Sequence, residues 1–216
     1  MHNQTTEGDS LPLHRYFILN KPYNMVSQFV STHAVNLLGD IGFNFPEGIH
    51  AIGRLDNLSE GLLILTTNKK ITRLLFESST PHKRTYLVLV NHAVSEERLQ
   101  QLREGIRFRV RGGEYYTSLP CEAEIVLQPE ISFPSPYTMT KNIPYTWLRI
   151  TLTEGKFHQV RKMVAAIHHR CKRLIRVSIE DLKLGDLQPG CIKEIQEKDF
   201  FAMLKIDNPI RKIKTD

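Results

Sequence analysis

GLLILTT at residues 61–67 and TYLVLV at 85–90 are short apolar runs without a charged residue. Short, nearly continuous apolar runs rich in β-formers read as strands buried in a core, so a sheet must lie at the centre of the fold. The residues leading into the first run are harder to place. Residues 51–60 read AIGRLDNLSE, which puts Arg54 and Asp56 two positions apart just ahead of a core strand. A carboxylate there is costly to bury unless a cation or several donors stay beside it. Arg54, or an arginine from the basic helix described below, is the expected partner. Such a pair would keep Asp56 ionised and fit it for nucleophilic or electrostatic work; an aspartate that merely caps a turn is the plainer alternative.

The surrounding pattern is mixed. Residues 15–20 (RYFILN) read as a strand stopped at Lys21 and Pro22, and Ile71, Leu74 and Leu75 predict a short helix to about residue 77. Ser95 is the N-cap expected for a helix over 96–103, and Gly112 and Gly113 mark a turn between strands at 106–111 and 114–119. Four prolines make 128–144 an irregular loop. Residues 147–153 alternate, with Leu148, Ile150 and Leu152 on one face. Phe157, Val160, Val164 and Ile167 then recur at helical spacing. Without a regular βαβ repeat, the expected fold class is α+β with a mixed, mostly antiparallel sheet.

The formal charge is +6 and the pI near 9.2. Residues 154–176 carry seven basic side chains against one acid, so this segment holds the whole excess. A concentrated basic stripe suggests a polyanionic partner, and charge alone does not separate RNA from DNA or an acidic membrane surface. No apolar run approaches the length of a bilayer span, and the start of the chain lacks the features of a signal peptide. Cys121, Cys171 and Cys191 form no CxxC pair. A cytoplasmic protein with reduced thiols is expected. His168, His169 and Cys171 fit no zinc-ligand spacing, so no metal is expected and phosphate contact is the use foreseen for that cluster.

Four segments, in order, resemble the RNA pseudouridine synthases of the RsuA and RluB/E/F type. GRLDNLSEGLLILTTN at 53–68 is similar to their active-site motif, Asn20-Lys21-Pro22 to their early NKP motif, residues 83–86 (KRTY) to KxY, and residues 154–163 (EGKFHQVRKM) to EGKxxQ(V/I)RRM. The resemblance covers about residues 15–205. It implies two catalytic subdomains sharing a sheet around a central cleft, over 14–82 and 83–208, between a disordered tail at 1–13 and a basic tail at 209–216. The family's small preceding RNA-binding domain is expected to be lacking, which resembles the short member of the family that acts on the large ribosomal subunit.

The chemistry implied is cleavage of the N1 to C1′ bond of a uridine, rotation of the base, and rejoining through C5, without cofactor or metal. Extrusion of the base is required for a side chain to reach it. By the resemblance Asp56 is the catalytic aspartate, Tyr86 lies against the target base, and Arg161 pairs with Asp56. Arg54 fills the space of the extruded nucleotide or holds its phosphate, Leu148 walls the uracil pocket, and Lys156, His158 and Lys162 meet the substrate. The partner implied is ribosomal RNA, most simply 23S RNA, with a tRNA target as a variant; neither DNA nor membrane is expected, and the protein is expected to be a monomer. A non-catalytic RNA-binding protein on the same fold is the rival from another class, and intact Asp56, Tyr86 and Arg161 argue against it.

Overall fold

The computed structural model describes residues 14–76, 80–110 and 112–207. The two tails foreseen at 1–13 and 209–216 lie outside these residues. The chain opens with β1 (Tyr16–Lys21) and, after a long excursion with a single 3-10 turn at Leu38–Ile41, returns as β2 (His50–Ile52) and β3 (Glu60–Thr66), followed by α1 (Ile71–Phe76). Next come β4 (Arg84–Asn91), α2 (Glu96–Glu104), the small hairpin β5 (Arg107–Arg109) and β6 (Tyr115–Thr117), and β7 (Glu122–Val126). The third part holds β8 (Tyr145–Leu152), α3 (Gln159–Ala166), β9 (Cys171–Ile179), β10 (Leu182–Lys183), β11 (Ile192–Ile195) and α4 (Glu197–Leu204).

Nine of the strands form one sheet in the order β11-β1-β3-β9-β4-β8-β7, with β2 added to β3 and β10 to β9. Every pairing is antiparallel except β3 with β9. This is the α+β class the sequence suggested. Both faces of β3 are covered, which is why its sequence runs apolar: Leu62 and Ile64 pack with Tyr16, Leu75 and Phe200 on one side, Leu63 and Leu65 with Phe17, Leu38 and Leu55 on the other. The Ser95 cap forms as expected, its side chain accepting from the Arg98 amide.

Two readings of the basic segment need correction. Phe157 does not begin the helix: α3 starts at Gln159, and Phe157 is 61% exposed. Nor is the segment one basic stripe. Its second half is β9, at the middle of the sheet, where Arg173 and Arg176 are buried. Arg173 makes two parallel bonds to Glu60, 2.9 and 2.8 Å long. Arg176 donates to the carbonyls of Leu62 (2.8 Å) and Gly53 (2.7 Å). These two cations hold the core, and Arg176 also lines the cleft described below.

The junction of β3 and β9 is narrow, with two paired positions, Glu60 opposite Ile175 and Gly61 opposite Arg176. It joins the first three strands to the β9-β4-β8-β7 side, and the cleft described next opens beside it.

Candidate active site

Ile52 pairs with Ile64, so residues 53–59 form the connection between antiparallel β2 and β3. Leu55 anchors it: its side chain is buried beside Phe17 and Leu63, and its amide and carbonyl both bind Ser27 Oγ, at 3.0 and 2.9 Å. With Leu55 turned inward, its neighbours Arg54 and Asp56 turn to the cleft. The same connection is held by Arg176 at Gly53, by Arg161 at the Leu58 carbonyl (2.7 Å), and by Lys21, whose Nζ lies 3.4 Å from the Asn57 carbonyl. The two charges of the GRLD stretch therefore flank a buried leucine on a loop fixed from several sides.

The cleft has a volume of about 950 Å³ and is lined by Arg54, Asp56, Arg84, Tyr86, Leu152, Lys156, His158, Leu174 and Arg176, among others. Tyr86, half-buried on β4, faces Ile150 of β8 and Arg176 of β9 across the sheet. The Asp56 side chain is 29% exposed, and His158 Nε2 stands 3.4 Å from its Oδ1. His158 reaches there from a left-handed backbone conformation, φ 55°, at the N-cap of α3. Its ring is stacked on Phe157, centroids 3.9 Å apart, and Lys162 Nζ lies 5.5 Å from the Phe157 centroid.

The EGKFHQ turn is closed by its own acid and amide. Glu154 accepts from the Leu119 amide (3.0 Å), from Gln159 Nε2 (2.5 Å) and from the Tyr116 hydroxyl. That last bond is the main reason the Tyr116 phenol is pushed up to about 12, and the hydroxyl stays a donor. Gln159 in turn accepts from the Lys156 amide at 2.8 Å. Lys156 thereby keeps its ammonium 4.8 Å from the Tyr116 ring at the cleft edge.

Of the site residues expected from sequence, Arg54, Asp56, Tyr86, Lys156 and His158 meet in the cleft. Three stand elsewhere. Arg161 is turned to the backbone beside Asp56: its guanidinium donates to the Leu58 carbonyl, approaches Ser59 Oγ at 3.5 Å and lies against the Cys171 sulfur at 3.6 Å. Leu148 is fully buried in the core with Val88, Val164 and Leu174, and the aliphatic residue of that face that reaches the cleft is Leu152, four positions on. Lys162 serves the Phe157 ring at the outer rim. Sequence reasoning passed over Ser27, Arg84, Glu154, Gln159 and Arg176. The acid and amide five residues apart in the EGKFHQ turn were a usable signal, since both are buried or half-buried and must find donors. Burial pushes the Cys171 thiol up to about 11, against the opposing pull of Arg161. Among the described residues no group of three or more His, Cys, Asp or Glu is arranged to hold a metal ion, and no helix is long and apolar enough to cross a membrane.

Residues 15–166 match the RNA pseudouridylate synthase family. A ribosomal large subunit pseudouridine synthase E of Vibrio parahaemolyticus is 39% identical over 183 residues, covering 84% of this chain and 74% of that protein. The protein of the same name from Xanthomonas axonopodis pv. citri is 35% identical over 174 residues, 80% of this chain and 89% of its own length. Among solved structures, a crystal structure of a pseudouridylate synthase superposes with a TM-score of 0.72 at 26% identity, over 90% of this chain and 75% of that one.

Proposed function

The chain belongs to the RNA pseudouridylate synthase family, and from that membership we propose that it isomerises one uridine of ribosomal RNA, in the 23S RNA of the large subunit, with Asp56 as nucleophile. The observation that carries the reading is the meeting of Asp56 and Tyr86 in one cleft, on a loop and a strand that the rest of the fold holds still. The names of the relatives at 35–39% identity support a large-subunit substrate.

A uridine stacked in an RNA helix keeps C1′ and C6 out of reach of a side chain, so the nucleotide enters the cleft extruded. Asp56 attacks the ribose or assists departure of the base; the N1 to C1′ bond breaks, the base turns, C5 bonds to C1′, and the C5 proton leaves. Tyr86 stacks on the uracil with its hydroxyl near that proton, and Leu152 takes the walling role foreseen for Leu148. His158 and Lys156 meet the RNA backbone, Arg54 stands at the strand from which the nucleotide came, and Lys162 supports Phe157 at the rim. Arg161 acts by holding the Leu58 carbonyl, and so the turn that carries Asp56. Of the two lobes read around the cleft, the first holds β1 to α1 and is completed by β11 and α4 from the far end of the described chain, and the second is the β9-β4-β8-β7 side. The same reading takes the protein as a monomer working on RNA in the cytoplasm.

The test is a chemical map of pseudouridine across ribosomal and transfer RNA from cells lacking the protein, complemented with wild type or with Asp56→Asn. One lost site, restored by wild type alone, is the expected result. Restoration by both would remove Asp56 from the chemistry, and an unchanged map would favour a binding protein.

A further inference from the structure

Arg84 stands two residues before Tyr86 on β4, so both side chains leave the same face of the strand, about 7 Å apart along it. It lines the cleft and is 7% exposed. Its guanidinium rests on Phe76, with Cζ 4.6 Å from the ring centroid. Its Nη1 faces Gly155, where an added Cβ would stand 3.9 Å away. This nitrogen is buried and has no hydrogen-bond partner among the described residues. The other two buried arginines among those residues are satisfied, Arg173 by Glu60 and Arg176 by two carbonyls.

A guanidinium stays charged wherever a protein is folded, so burying one with an unused donor costs free energy. Burial above all, with repulsion from Arg176, lowers the Arg84 pKa against the pull of Tyr86 and Glu180, and Glu180 is already engaged by Lys205 and the Lys83 amide. A neutral carbonyl would satisfy the nitrogen but leave two cations sharing one cleft. An anionic oxygen answers both. We propose that Arg84 is a substrate-binding residue whose free Nη1 takes a phosphodiester oxygen of the extruded nucleotide, with Arg176 on the neighbouring strand adding to the field. Phe76 covers one face of the guanidinium and Gly155 stands beside the buried Nη1, so one of these two neighbours must give way to admit the oxygen. The inference rests on the reading that the cleft takes an extruded uridine.

The test uses the full chain carrying Asp56→Asn and a synthetic RNA oligonucleotide centred on the uridine that the pseudouridine map identifies. Adding Arg84→Met should weaken binding about tenfold and flatten the dependence of log affinity on log salt by about 0.7 to 0.9. The thermal midpoint should hold or rise, because an uncompensated buried cation is gone. The same loss should appear on an oligonucleotide with an abasic nucleotide at the target position. A loss that disappears on the abasic RNA would mean that Arg84 reads the uracil. Unchanged affinity, or a lower midpoint with an unchanged salt slope, would mean a purely structural arginine. Each of these overturns the inference. Arg84→Gln carries the same readings should Arg84→Met not fold. Failure of the Asp56→Asn parent to bind RNA is a separate result, which would sink the functional reading and this inference with it.

Discussion

Gly61 and Arg176 approach so closely that a Cβ added to the glycine would lie 2.3 Å from the Arg176 carbonyl oxygen. The glycine also sits at φ +100°, a region that side chains rarely enter. Gly61→Ala must therefore push apart the two-residue junction of β3 and β9. A loss of about 3 kcal/mol or more in unfolding free energy is expected, read by urea denaturation. A midpoint within error of wild type would show that the junction yields cheaply.

Tyr86 offers two separable contributions. Tyr86→Phe keeps the ring and should bind RNA as wild type does while turning over far more slowly. Tyr86→Ala should in addition weaken binding by about 1 to 3 kcal/mol, the usual worth of a base stacked on an aromatic ring. Equal turnover for Tyr86→Phe and wild type would take the hydroxyl out of the mechanism.

Glu60 and Arg173 form a two-bonded pair at 4% and 5% side-chain exposure, and Arg173 also donates to the Pro134 carbonyl at 3.0 Å. Breaking a buried pair strands its partner's charge, so Arg173→Met should cost about 3 to 5 kcal/mol, while the double variant with Glu60→Leu should recover much of it. The measurement is a double-mutant cycle in urea, and additive losses would contradict the pairing.

Lys21 is wholly buried, its ammonium held by the carbonyls of Pro22 (2.7 Å) and Met25 (2.6 Å). Burial pushes it down to about 7, against the opposing pull of Glu60 and Asp56. Between about pH 7 and the ordinary lysine range the unfolded chain holds a proton that the folded chain has released, so stability rises with pH across that window and is lost as pH falls through 7. Measured against Lys21→Met, the wild-type unfolding free energy should climb from pH 6.5 to pH 9.5. A flat difference would mean that the carbonyls keep the lysine charged throughout.

Local signals were legible in the sequence and distant partners were not. The strands at 61–67 and 85–90 and the Ser95 cap declare themselves within a few residues, and the ordered motifs brought Asp56, Tyr86 and His158 to one place. Strand β9 was hidden because Arg173 and Arg176 interrupt its apolar pattern, and what satisfies them, Glu60 and the Leu62 and Gly53 carbonyls, lies more than a hundred residues away. Glu60 was the available clue, an acid at the head of an apolar run. Leu148 and Leu152 share a face by the two-residue period of the strand, but that period does not say where along the face the core ends and the cleft begins. Arg161 was assigned to a carboxylate when its closest acceptor is a backbone carbonyl, a kind of partner that no residue pattern marks.

The outer edge of β1 is completed by β11, Tyr16 lying opposite Ile195 and Leu19 opposite Ile192, and α4 stacks Phe200 against Tyr16 at 4.4 Å. Strand β1 is thus finished by a strand synthesised much later, β11. At common synthesis rates the roughly 170 residues between them take about ten to thirty seconds to make. Throughout that interval β1 presents an unpaired apolar edge, and the chain needs either a chaperone or provisional contacts to keep it from pairing with a neighbour.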